Sequence, residues 1–482
     1  MWVFYEHNAV AYLSGKYRQL LFSTKFTSYL TRSCKNQYVY LGYYYGKLKA
    51  LADSALLNNN GTAIFLGKQK LPGGIYFLVS ARKEILFELL LDKQQHFSIT
   101  ADTTKLPNSV VFTGSEDNAQ FQAYSKNIAV TGKEINTLLA ELPAAKNKAD
   151  SNKISERLQV LNKQMQQTRN DQEKKSPTSL LAALFRSMKE PVVPPAEKQP
   201  SQKYDSLYAY KFYKQHYWDG FSFTDERMLR TPIFEPRLEK YFKDLVVPDP
   251  DSINKEIDMM LLKSKSNKEM YRYLLTTFVQ KYINPEFMGQ DAVFVHLFEK
   301  YINNVPEVDW FTEKYKKYMF ERAYSLMANL IGQPASNMEM KDTSGNLIPL
   351  YSVQAPFTVL CFWDPTCSHC KEMVPRLDSM FQHKWKAMGV KVYGVMVDGG
   401  KEAWLHYIRE NNLTGWIHVY ETTEQRDSVY AAGKPSYKQL YDVYQTPVLY
   451  LLDKEKRIIA KKLTYQQIDE VITLKLKNGT AK

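Results

Sequence analysis

Fifteen residues, CFWDPTCSHCKEMVP at positions 361–375, hold three of the chain's four cysteines. They continue an apolar run, FTVLCFW (357–363), of the kind that makes a central strand covered on both faces. From Cys367 the spacing turns helical to about residue 387. A buried strand that ends just before a C-x-x-C, which then opens a helix, implies a layered α/β arrangement with the first sulfur at the helix N-terminus.

That placement has chemical consequences. The unpaired N–H groups and the dipole of a helix start favour thiolate over thiol, and the thiolate is the form that attacks a disulfide. Cys367 is therefore the expected nucleophile. Cys370, one turn further in, lies within reach of a short disulfide and is expected to resolve the mixed one. Ser368 and His369 stand between them, and a charged or hydrogen-bonding His369 ring is expected to lower the Cys367 pKa and make the couple more oxidising. A metal site needs four ligands; no second C-x-x-C or H-x-x-x-H accompanies this one, and His383 and His406 have nothing to support them as ligands. Cys361 reads as a buried, inert strand residue.

Around this motif the chain changes character several times. From about 36 to 114, YVYLGYYYG, DSALLNNNGTAIFLG, LPGGIYFLVS, EILFELLLD and HFSITAD read as strands of a small antiparallel β-sandwich. Asn60-Gly61 is expected to turn a hairpin with positive φ at both residues. Residues 115–330 read as mostly helical, with a polar helix over SNKISERLQVLNKQMQQTRNDQEKK and a proline-rich linker at 190–200. Tyr208, Phe212 and Trp218 are expected to pack between helices, and His216 and His296 show no partner in the sequence. After Gly332, strands and helices alternate to the C-terminus: a strand pair turning at Ser344-Gly345, the run into Cys367, VKVYGVMVD, a helix at 400–412, and TPVLYLLD paired with RIIAKKL. The fold class expected is thus multidomain, α+β and α/β, with segments 1–35, 36–114, 115–330 and 331–482.

Composition narrows the function classes. With 44% hydrophobic and 24% charged residues, a chain of 482 has the make-up of several folded domains. The formal charge of +13 is spread along the chain and interrupted by acids, without a zinc-finger, RNA-recognition or basic-helix pattern, so no nucleic-acid partner is expected. Four cysteines are too few for a disulfide scaffold of this length. No stretch approaches the roughly 20 apolar residues of a membrane span. Residues 1–30 lack a basic start followed by an apolar run, and Arg32 argues against lipidation at Cys34.

The segment 331–482 resembles the thioredoxin superfamily, specifically the TlpA/ResA-like thiol-disulfide oxidoreductases of the bacterial cell envelope. The matching residues are GQPA (332–335), DTSGNLIPL (342–350), FTVLCFWDPTCSHCKEMVPRL (357–377) and YQTPVLYLLDKEKRI (444–458). The resemblance implies a thioredoxin-like α/β domain. It also implies that Pro375 is the helix-kinking proline, Trp363 the tryptophan of the family motif, and Thr446-Pro447 a cis-proline loop that docks the substrate backbone. Residues before 331 resemble, more weakly, the β and helical accessory modules that precede such domains in envelope proteins of some Gram-negative bacteria. Two acids of the family pattern are replaced: the buried acid six residues before the nucleophile by Cys361, and the glutamate three residues after the second cysteine by Met373, with Glu372 one place earlier.

The expected activity is exchange of disulfides with protein thiols and disulfides, as a reductase or general interchange protein. It would need no cofactor beyond the redox-active Cys367–Cys370 pair. A membrane or soluble electron donor is the implied upstream partner, and the periplasm the implied location, with residues 1–30 where an export signal is expected. Two rivals stand beside it. A peroxidase would present Pro-x-x-x-Thr-x-x-Cys, whereas Thr366 here directly precedes Cys367. A binding or assembly protein would use the C-terminal domain as a scaffold and tolerate Cys367→Ser.

Overall fold

The computed structural model describes residues 19–26, 37–145, 147–303, 305–306, 308–477 and 479. Among the described residues, eight strands come first: β1 (Gln19–Phe26), β2 (Tyr38–Tyr45), β3 (Leu48–Leu56), β4 (Thr62–Lys68), β5 (Gly74–Val79), β6 (Ile85–Leu91), β7 (Phe97–Ala101) and β8 (Val111–Thr113). They form two four-stranded sheets, ordered β4-β1-β7-β8 and β3-β2-β5-β6. Alternate residues from both, including Val39, Leu41, Phe65, Leu78 and Ile99, close one core, as the period-2 pattern of half-buried strands requires. β1 pairs antiparallel with β4 and parallel with β7. It belongs to the segment 1–35; the rest of that segment, Cys34 included, lies outside the described residues.

The Asn60-Gly61 hairpin is not formed. Strand β3 pairs with β2 and β4 with β1, so the turn carries the chain from one sheet to the other. The Asn58 carboxamide organises it by accepting from the N–H groups of Asn60 and Thr62 at 2.9 and 3.0 Å. Positive φ is needed at Gly61 alone of the two (71°). Gly42 has a steric reason: a Cβ there would come within 2.2 Å of the Phe77 ring on the neighbouring strand.

Among the described residues, nine α-helices carry the chain onward: α1 (Glu116–Glu141), α2 (Lys148–Lys175), α3 (Leu180–Ser187), α4 (Ser206–His216), α5 (Phe234–Asp244), α6 (Pro250–Ser264), α7 (Lys268–Tyr282), α8 (Asp291–Leu297) and α9 (Glu313–Met327). Asn118 is the buried residue of α1, and its carboxamide exchanges two hydrogen bonds with the Leu90 backbone at 2.7 and 2.8 Å. Trp218 packs into an aromatic cluster with Tyr217, Phe221, Phe223 and Tyr241, whereas Tyr208 and Phe212 are half-buried. Both histidines without a partner in the sequence have one in space: Asp219 lies 2.6 Å from His216 and Asp258 lies 2.8 Å from His296.

The C-terminal sheet has seven strands: β9 (Glu339–Asp342), β10 (Leu347–Pro349), β11 (Thr358–Trp363), β12 (Lys391–Met396), β13 (Ile417–Tyr420), β14 (Val448–Leu452) and β15 (Ile458–Lys461). Their order is β10-β9-β13-β12-β11-β14-β15. Strand β11 runs parallel to β12 and antiparallel to β14 and is buried throughout. Its alternate residues feed two cores: Val359, Cys361 and Trp363 face one side, Leu360 and Phe362 the other. Helices α10 (Ser368–Met380), α11 (Lys401–Glu410), α12 (Thr423–Ala431), α13 (Tyr437–Leu440) and α14 (Tyr465–Lys477) complete the region. The chain divides into two compact units, Met1–Val246 with Met260–Tyr273, and Val247–Met259 with Leu274–Lys482. Among the described residues no helix is long and apolar enough to cross a membrane.

Candidate dithiol site

Strand β11 delivers the chain to a tight bend at Asp364-Pro365-Thr366. The Asp364 carboxylate accepts from the backbone N–H and the hydroxyl of Thr366, both at 2.7 Å, and the Asp364 carbonyl accepts from the Cys367 N–H at 3.3 Å. Cys367 then caps α10 with extended backbone angles (φ −73°, ψ 127°), and its carbonyl takes the first helical bond, from Lys371, at 3.0 Å. One turn later Cys370 is fully buried on the core side. Its sulfur accepts from the Asp364 N–H at 3.4 Å.

The two thiols are electrostatically unlike. Cys367 is partly exposed, and its pKa is lowered first by the backbone N–H of Cys370, then by the Thr446 side chain and the His369 N–H. Burial pushes the Cys370 thiol up to about 12. The outer sulfur is disposed to ionise and the inner one to hold its proton. The effect of His369 comes from its backbone amide, while its ring, like the Ser368 side chain, faces solvent.

Opposite Cys367 stands the segment before β14. The Thr446–Pro447 bond is cis, and the Thr446 carbonyl accepts from the Cys367 thiol at 3.5 Å. Beneath the site Trp363 is wholly buried, its ring 5.3 Å from that of Tyr407. Pro375 sits inside α10 and has no N–H for the Lys371 carbonyl, its partner one turn back. The Tyr407 hydroxyl donates to that carbonyl at 3.4 Å. Cys361 is buried among the same residues, its pKa raised well above the usual thiol range by burial and then by Cys370. Glu372 is exposed and Met373 packs on the core. Tyr407 is raised by burial and then by the charge of Cys370, which marks it as a close titratable neighbour of the inner sulfur. Tyr407 was not singled out by the sequence, since it lies on α11 with no motif around it. Among the described residues no group of three or more His, Cys, Asp or Glu side chains is placed to hold a metal ion.

Residues 331–461, the stretch containing this site and its sheet, match the AhpC/TSA family. The C-terminal region is an AhpC/TSA thioredoxin-like domain. Residues 159–325 match a family described as a domain of unknown function, DUF5106. Among solved structures, the thioredoxin-like domain is similar to a domain of a possible thiol-disulfide isomerase from Cytophaga hutchinsonii, with 37% identity over 32% of this chain and 97% of that one, at a TM-score of 0.28. A thioredoxin-like protein from Bacteroides caccae is 22% identical over 59% of this chain and 98% of its own, with a TM-score of 0.43. The thioredoxin domain of a thiol-disulfide oxidoreductase from Bacteroides vulgatus is 25% identical over 29% and 96%, with a TM-score of 0.26. No curated protein matches the chain.

Proposed function

We propose that the protein exchanges disulfides with protein substrates through Cys367 and Cys370, acting as a reductase or general interchange protein. The observation that carries this reading is the asymmetry of the pair: a capping thiol whose pKa is lowered and a buried partner raised to about 12. The Cys367 thiolate attacks one sulfur of a substrate disulfide, forming a mixed disulfide and releasing a substrate thiolate. Cys370 gives up its proton and attacks the Cys367 sulfur. The second substrate thiolate leaves, and two electrons have passed from the dithiol to the substrate. An upstream dithiol donor, membrane-bound or soluble, restores the reduced pair by the same chemistry in reverse. Thr446 and Pro447 dock the substrate chain, Trp363 and Pro375 hold the frame, and Ser368 and His369 line the approach. The chemistry is carried by the pair itself without a further cofactor.

The resemblance to envelope oxidoreductases supports this class of reaction and a place in the cell envelope. The Thr366 hydroxyl is engaged by Asp364, an arrangement that favours exchange over the peroxide reading. Equilibration in glutathione buffers with trapping of free thiols tests the proposal. A potential near about −270 mV fits a reductase fed from elsewhere, and one near about −120 mV fits an oxidant. A pair that never forms a disulfide sinks the enzyme reading in favour of a scaffold.

A further inference from the structure

Three side chains at the C-terminal end of the helical region converge on one short stretch of the thioredoxin-like domain. The Arg322 guanidinium pairs with the Asp442 carboxylate, the Ser325 hydroxyl donates to the Gln439 carbonyl, and the Asn329 carboxamide donates to the Leu440 carbonyl at 3.0 Å. Arg322 and Ser325 lie three residues apart on one face of α9, and Asn329 follows in the turn just past its C-terminal end. Arg322 is itself fixed by the Ile283 carbonyl, to which it donates at 3.2 Å. On the receiving side the Asp442 side chain is 0% exposed, and Lys462 pairs with its second oxygen. Asp442 also has a left-handed backbone (φ 50°), a conformation that a non-glycine residue keeps only when its surroundings enforce it.

Four residues after Asp442 comes Thr446, whose carbonyl meets Cys367. Val443 is buried in the core next to Asp442, while Tyr444 and Gln445 are exposed, so the part of this stretch that leads into Thr446 takes its position from what flanks it. One end is β14. The other is the Asp442 anchor, held by Lys462 from within the domain and by Arg322 of α9, a helix ahead of residue 331 and so outside the AhpC/TSA match.

We propose that Arg322 and Asp442 are positioning residues of the dithiol site: α9, through this buried pair, holds the Thr446–Pro447 loop against Cys367 and so sets how well a protein disulfide docks. The inference rests on the exchange reading above. It follows from the dependence of such sites on the placement of the groups that orient a bound substrate.

The test uses the full chain carrying Arg322→Met, with insulin as the protein disulfide and dithiothreitol as the electron donor. KM for insulin should rise at least about fivefold while kcat changes less than about twofold, and Arg322→Lys should restore most of the loss. Amide hydrogen exchange over 443–449 should quicken at least about tenfold, while that of β12 stays unchanged. Unchanged exchange over 443–449 overturns the proposal. So does a general rise in exchange with KM and kcat lost together, which marks a purely structural contact. If the wild-type protein does not reduce insulin at all, the exchange reading fails, and the hydrogen-exchange arm still decides whether α9 holds the loop. Ser325→Ala, read by the same two measurements, replaces Arg322→Met if that variant does not fold.

Discussion

The backbone N–H of Cys370 supports the sulfur of Cys367, while the sulfur of Cys370 is itself sealed in the core. One residue thus lowers its partner's pKa with its amide and keeps its own thiol protonated by burial. Because only the thiolate is alkylated, the rate of Cys367 modification by iodoacetamide should rise with pH and level off below the usual thiol range of about 8.5. Thr446→Val, which removes a hydroxyl that lowers the same thiol, should move the midpoint upward. Cys370 should stay unmodified until the pH nears about 12, its raised value. Equal labelling of both thiols at neutral pH would contradict the asymmetry.

Tyr407 closes a gap that Pro375 opens. With no proline N–H to serve it, the Lys371 carbonyl takes the Tyr407 hydroxyl at 3.4 Å. Tyr407→Phe keeps the ring against Trp363 and deletes that donor. A loss of about 0.5–1.5 kcal/mol is the expected effect, the net value of one such hydrogen bond. Urea denaturation monitored by tryptophan fluorescence reads it, and a variant as stable as the parent would mean that water serves the carbonyl equally well.

The parts of this site that were legible in the sequence are those whose signal is local. The apolar run into Cys367 gave away β11, and the spacing of Cys367 and Cys370 gave away the start of α10, because strand, cap and first turn are contiguous. Strand β13 is not legible, since Ile417–Tyr420 is four residues long and carries a histidine inside it. Tyr407 and Asp442 carry no signal in the sequence, because Lys371 and Arg322, which they meet, are 36 and 120 residues away and no spacing rule reaches so far. The Asn60-Gly61 signal shows the converse. The turn is there, but whether its flanking strands pair with each other is decided by β1 and β2, which compete for them.

Gly42 makes a prediction for the sandwich. A Cβ at this position meets the Phe77 ring at 2.2 Å, and Phe77 is wholly buried against Tyr44, ring to ring at 5.1 Å. Gly42→Ala should therefore destabilise the N-terminal unit by about 1–3 kcal/mol, the usual cost of overpacking. Thermal unfolding followed by circular dichroism measures the loss; an unchanged midpoint would show that the β2–β5 pair can spread.

Asp442 predicts how the second unit responds to acid. Burial raises its carboxyl pKa, but Lys462 and Arg322 outweigh that and hold it below the usual carboxylate range. A folded-state pKa below the unfolded value of about 3.9 means that the unfolded chain takes up the proton first as pH falls. The stabilisation is complete above that value and is lost as pH falls through the folded-state pKa. Asp442→Asn removes the titrating group and strands Arg322, whose side chain is 10% exposed, at a cost of about 3–5 kcal/mol at neutral pH. Its stability should then depend less on pH than that of the parent between about pH 5 and pH 2. Urea midpoints at several pH values compare the two. Curves that fall in parallel would show that Asp442 is not the carboxylate through which acid loosens this region.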